Sequence, residues 1–140
     1  LVRLSTGFLA VISPPSLTAG VREVVETFGN GEVAYLICPN AEHYFLHDWY
    51  SVFPKATVMA PQTLVTKFAS GQVSVPHVPI TLAFPCQQYS PDIKEFEHEF
   101  ETAFFCANAN EIVLLHKASR TLLIADMVFK PPATESYSKS

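Results

Sequence analysis

Apolar positions in the first half of the chain switch between two rhythms. Val2 to Leu4 and Phe8 to Ile12 are short apolar runs flanking Ser5-Thr6-Gly7, which predicts a hairpin around a glycine turn. Ser13-Pro14-Pro15 stops the second strand. From Thr18 the spacing lengthens. Val21, Val24, Val25 and Phe28 recur at helical intervals, Thr18 offers a side-chain oxygen for the N-cap, and Gly29 ends the helix. Asn30-Gly31 then turns the chain into Val33 to Ile37, a near-continuous apolar run of the kind a strand covered on both faces requires. Together these segments predict a βαβ unit. A second unit follows, with a helix around Ala41 to Phe53 and the strand Thr57-Val58-Met59 behind the Pro54-Lys55 turn. Pro61 stands as the first residue of a short helix through Phe68.

The second half is less regular. Pro76, Pro79 and Pro85 surround His77, so Gly71 to Pro85 reads as a long loop with one edge strand over Ile80 to Phe84. Phe96-Glu97-His98-Glu99-Phe100-Glu101 alternates apolar and polar, the mark of a half-buried strand. Ile112 to Leu115 and Thr121 to Ala125 form a hairpin across Lys117-Ala118-Ser119-Arg120. The expected architecture is α/β: strands at 8–12, 33–38, 56–60, 111–116 and 121–126 in a mixed sheet, with helices at about 18–28 and 42–53 packed on it.

Composition narrows the class. At 140 residues and 49% apolar, the chain can build one ordinary domain with a real core. That domain spans 1–130 and is followed by a polar tail, 131–140. The formal charge is −4, and the nine Lys and Arg are scattered, which argues against a nucleic-acid groove. Cys38, Cys86 and Cys106 form no CxxC pair, so neither a disulfide framework nor a zinc knuckle is expected, and a reducing cytoplasm fits. No apolar run reaches the roughly 18 residues of a membrane-spanning helix, and no basic-then-apolar leader opens the chain. The chain begins at Leu1 inside a strand-like run, as a piece of a longer protein would.

Candidate chemistry concentrates in CPNAEHYFLHDW, Cys38 to Trp49, directly after an apolar strand. His43 and His47 are four apart and share a helix face, an arrangement that serves a ligand pair or two half-exposed helical histidines. Glu42 near a helix start favours the helix dipole, and Asn40 suits an N-cap. Asp126 ends an apolar strand, where a carboxylate is costly unless paired or ligated. His77 and His98 have no partner spacing and are expected at the surface; Cys106 is expected in the core. The chain has no GxSxG elbow and no glycine-rich phosphate loop. A Cys38–His43 nucleophile pair lacks any group that would activate the thiolate.

The order of strand, His- and acid-rich turn, helix, FPKATVMAP, and a late hairpin closing on TLLIADMVF resembles the metallo-β-lactamase superfamily, of the ribonuclease Z and hydroxyacylglutathione hydrolase type. It is most similar to a fungal and bacterial branch with a P-N-x-E-H turn in place of HxHxDH. The resemblance covers most of the chain. It implies an αββα sandwich, of which 140 residues would make a partial or shortened copy. Such a copy exposes an apolar sheet face or edge, so self-association or poor solubility is expected. Setting Glu42-His43 on the Asp-His end of HxHxDH places Asn40 and Cys38 where the two preceding histidines would be. Asp126, followed by Met127-Val128-Phe129, falls on the metal-bridging Asp, and Ala107 stands where a further His would lie.

The resemblance therefore implies Glu42, His43 and Asp126 as metal ligands, with His47 and Cys38 as additional candidates and Asn40 lining the pocket. A hydrolytic zinc needs three or more N, O or S ligands and an open position. This set is thin for two ions, so the expected cofactor is none or one weakly bound zinc ion. Two classes follow: a non-catalytic member with a degenerate metal site, holding a small-molecule ligand of unspecified kind, and a metal-dependent hydrolase with an altered mononuclear site acting on an ester, thioester or lactone. Fold alone does not choose between them.

Overall fold

The computed structural model describes residues 1–41, 45–71, 78–85, 92–105 and 110–127. Within them, β1 (Val2–Arg3), β2 (Leu9–Ile12), β3 (Val33–Ile37), β4 (Thr57–Pro61) and β5 (Leu82–Phe84) form one sheet in that order. β1 runs antiparallel to β2, and β2 through β5 are parallel. The connections are α1 (Ala19–Gly29), α2 (Leu46–Val52) and α3 (Gln62–Ala69). A separate antiparallel sheet of β6 (Phe100–Phe105), β7 (Glu111–His116) and β8 (Thr121–Leu123) follows α4 (Lys94–Glu99). The chain is thus α/β with a mixed sheet, and it carries a second sheet that the expected single sheet did not include.

Two cores explain the layering. Val11, Leu36 and Val58 point to one face of the parallel strands and pack with Val25 of α1, Leu46 and Trp49 of α2 and Leu64 of α3. Their neighbours Ala10, Tyr35, Ile37 and Met59 point to the other face, where they meet Phe96, Phe100, Ile112 and Leu114. Alternation along each strand therefore places helices on one side of the first sheet and the second sheet, with α4, on the other. Both faces are covered, which is why these strands read as continuous apolar runs. Trp49 is fully buried and donates its indole N–H to the Pro15 carbonyl at 2.6 Å, tying α2 to the turn after β2.

The helix boundaries follow local chemistry. Thr18 caps α1, its hydroxyl accepting from the Val21 amide at 3.3 Å. Asn30, at φ 53°, takes the left-handed position after the helix that was expected of Gly29. Gly29 has a different role: a Cβ there would lie 2.1 Å from Cγ of Leu9, so only glycine lets α1 sit this close to β2. Pro61 closes β4 and stands just ahead of α3 rather than inside it.

Two strand expectations are corrected. Residues 96–101, expected as a half-buried strand, are instead split between α4 and β6. Phe96 is fully buried on α4, its ring edge-on to Tyr35 at 5.1 Å and 4.9 Å from that of Phe100; the helix ends at Glu99, and Phe100, in extended backbone, opens β6. The last strand stops at Leu123 instead of 126, because the amides of Ala125 and Asp126 turn to the Glu111 side chain. The helix expected over 42–53 is α2, Leu46–Val52, with Phe45 ahead of it at the N-cap; residues 42–44 lie outside the described residues. The described residues include no helix long and apolar enough to cross a membrane.

Candidate functional site

Parallel strands deliver the loops after their C-terminal ends to one rim of the sheet, where α/β proteins place ligands. Here β3 ends at Ile37, and the chain runs through Cys38, Pro39 and Asn40 along that rim. The Pro39 carbonyl accepts from the Ile112 amide at 2.7 Å, so the loop is tied to the start of β7. Asn40 is 8% exposed, and its side-chain amide donates to Asp126 Oδ2 at 2.7 Å. The turn after β3 and the segment after β8 therefore meet, across 86 positions of sequence.

Beneath this contact lies a residue that sequence reasoning missed. Glu111 opens β7 with no exposed surface, and its two carboxylate oxygens accept the amides of Ala125 at 2.5 Å and Asp126 at 2.8 Å. A buried carboxylate is tolerated only with such partners. The bidentate grip replaces two ladder bonds that a longer β8 would have made, and it fixes the backbone from which Asp126 projects. The available signal was an acidic residue directly before the apolar run Ile112 to Leu115, which reads more simply as the polar end of a loop.

The other sequence candidates are distributed as follows. Cys38 is fully buried in the helix-side core, and burial pushes its thiol well above the ordinary cysteine range. That opposes the thiolate form a zinc ligand takes. His47 lies on α2, with Nε2 3.5 Å from the hydroxyl of Ser51 one turn on. His98 is exposed on α4, as expected. Glu42, His43, His77, Cys86, Cys106, Ala107, Val128, Phe129 and the tail 131–140 lie outside the described residues. Among the described residues no three His, Cys, Asp or Glu side chains group so as to hold a metal ion.

A second polar cluster occupies the opposite end of β7. Glu99 is buried, and one of its oxygens accepts both the amide, at 2.7 Å, and the hydroxyl of Ser5 in the β1–β2 turn. Its other oxygen faces His116 Nε2 at 3.7 Å, and His116 Nδ1 lies 2.7 Å from the Ser119 hydroxyl. Burial pushes the Glu99 carboxyl up. The Ser5 hydroxyl and amide, with the charges of His116 and His98, outweigh it and leave the group below the ordinary glutamate range. Nothing in the spacing of these residues announced the cluster, since 94 positions separate Ser5 from Glu99.

Comparison of the chain with protein-family models, with curated proteins and with solved structures found no match.

Proposed function

We propose that this chain is a metallo-β-lactamase-like protein with a degenerate metal site, a non-catalytic binding or scaffold member in which Asn40, Glu42, His43 and Asp126 line a vestigial pocket. The observation that carries the reading is the hydrogen bond from the Asn40 amide to Asp126 Oδ2. Asp126 is the carboxylate that would bridge two ions, and here an amide N–H occupies one of its oxygens. Asn40 stands where the resemblance expects a histidine, and an asparagine amide is a poor zinc ligand beside an imidazole. These two residues do not fit a dinuclear centre. Helices on one face of a mixed sheet and a second sheet on the other are the layers an αββα sandwich would share, which supports the fold part of the reading. A cytoplasmic setting goes with it, supported by the free, fully buried thiol of Cys38.

The test is the metal content of protein purified without chelator, with a zinc titration and assays on ester, thioester and lactone substrates. Sub-stoichiometric zinc is expected, with no hydrolysis, and His43→Ala should change the melting temperature only modestly. Stoichiometric zinc, lost together with hydrolysis on replacing His43 or Asp126, would overturn the reading in favour of a mononuclear hydrolase.

A further inference from the structure

The rim at Asn40 and Asp126 lies at the C-terminal ends of the parallel strands; a separate cleft opens at their other end. It has a volume of about 430 Å³, within the range of small-molecule sites, and lies between the β1–β2 turn, the start of β3 and the outer side of α4. Leu4, Phe8, Ala34 and Tyr35 give it apolar walls. Leu4 and Tyr35 are fixed by the core shared with the second sheet, and the Tyr35 ring packs edge-on against Phe96 at 5.1 Å. Phe8, by contrast, is 44% exposed, an aromatic ring left at the margin of the cleft.

The ionisable and polar groups of the lining offer no seat to an ion. Glu99 accepts the amide and the hydroxyl of Ser5 with one oxygen and faces His116 with the other, so its charge is already engaged within the protein. The Thr6 hydroxyl accepts the Phe8 amide at 3.4 Å, inside the turn. Lys94, Glu95 and His98 stand at exposed positions of α4, where groups of both signs lie close together and solvent screens them. A bound ion would give up hydration here without gaining a dedicated partner. An uncharged ligand gives up little and gains the apolar walls.

We propose that this cleft binds a small uncharged aromatic molecule, its flat body laid between the exposed Phe8 ring and the wall of Leu4, Ala34 and Tyr35. The Phe8 ring packs on no other aromatic ring among the described residues, and an offset or edge-on contact with a ligand ring is the pairing its position leaves open. The site is separate from the rim at Asn40 and Asp126 and does not depend on how that rim is read.

Indole, uncharged at neutral pH, tests it beside two charged molecules with the same ring, tryptamine and indole-3-propionate, each titrated into the 15N-labelled chain while backbone amide shifts are followed. Indole should shift the amides of Ser5, Phe8, Ala34 and Tyr35, and neither the cation nor the anion should bind more tightly. Raising salt from about 50 to about 500 mM should leave the affinity for indole within about twofold, because there is no ion pair to screen. Phe8→Leu, at an exposed position, keeps an apolar wall but removes the ring, and it should weaken indole several-fold, the worth of one aromatic pair. The unperturbed remainder of the spectrum will show that the variant is folded. If it is not, Ala34→Leu decides, since a larger side chain on the opposite wall should fill the cleft and abolish the shifts. The proposal fails if about millimolar indole leaves those amides unmoved, if either charged molecule binds about fivefold or more tighter than indole, if salt weakens indole beyond about twofold, or if the deciding variant binds indole as the native chain does.

Discussion

A carboxylate with no exposed surface and a backbone amide on each oxygen has one acceptable chemistry, and Glu111 is such a group. Glu111→Gln keeps the volume but replaces one acceptor with an NH2 that must face a backbone N–H. Two donors then oppose each other out of reach of water. The expected cost is about 2–3 kcal/mol, in the range for losing a hydrogen bond to a charged group and stranding its partner, measured by urea denaturation. The Asp126 amide should shift in the same variant, since its backbone loses its anchor; an unchanged urea midpoint would remove Glu111 from its place beneath the rim. At this scale the sequence was partly legible. Asp126 stood out because a carboxylate closing an apolar run needs a partner, and its partner is Asn40, a residue already singled out in the same stretch. Glu111 did not stand out, because an acid before a strand is ordinary unless one knows that the chain folds back over it.

Between elements, the link most open to test joins the β1–β2 turn to the junction of α4 and β6. Glu99 has its folded-state carboxyl below the ordinary glutamate value of 4.5, because the hydrogen bonds from Ser5 and the neighbouring histidine charges exceed the opposing effect of burial. A depressed acid contributes stability that is fully present above the unfolded value and is lost as pH falls through the folded one. Ser5→Ala removes the hydroxyl donor and leaves the amide. The variant should lose about 1–2 kcal/mol at neutral pH, and the gap from the native chain should close as pH falls below about 4. Urea midpoints taken from pH 7 to pH 3 measure this, and a gap of constant size over that range would show that Glu99 does not carry the linkage. The same junction shows why element type was misread there. Phe96 and Phe100 satisfy a period of two and a spacing of four equally, and the chain keeps neither throughout: Phe96 lies on α4, packed on Tyr35, while Phe100 is the first residue of β6. By contrast, Thr18 with its helical apolar series, and Val33 to Ile37, each admitted one reading, and α1 and β3 lie where that reading put them.

For the whole molecule, the alternation of strand and helix foretold the parallel sheet with helices on it, but not that the late strands form a sheet of their own. Which strands pair is set by contacts between distant segments, such as Ile112 with Pro39, and no local period encodes them. The second sheet has consequences for solution behaviour. Its inner face carries Phe100, Ile112 and Leu114 into the core, so the alternate positions Ala103, Phe105, Leu115 and Leu122 face outward. Leu122 is 56% exposed and Phe105 44%, and Leu115 pairs directly with Leu122 across the β7–β8 ladder. Glu101 is the exposed carboxylate of that face, and no lysine or arginine on β6, β7 or β8 guards it. An apolar sheet face of this kind drives association in proportion to the area it removes from water. Sedimentation equilibrium of the native chain should therefore show an average mass that rises with concentration in the micromolar range. Leu122→Lys should shift that curve toward the monomer. Its own stability should stay within about 0.5 kcal/mol, because the side chain it replaces is mostly solvated. A native chain that remains monomeric throughout, or a Leu122→Lys variant that associates equally, would show that this face is adequately solvated as it stands.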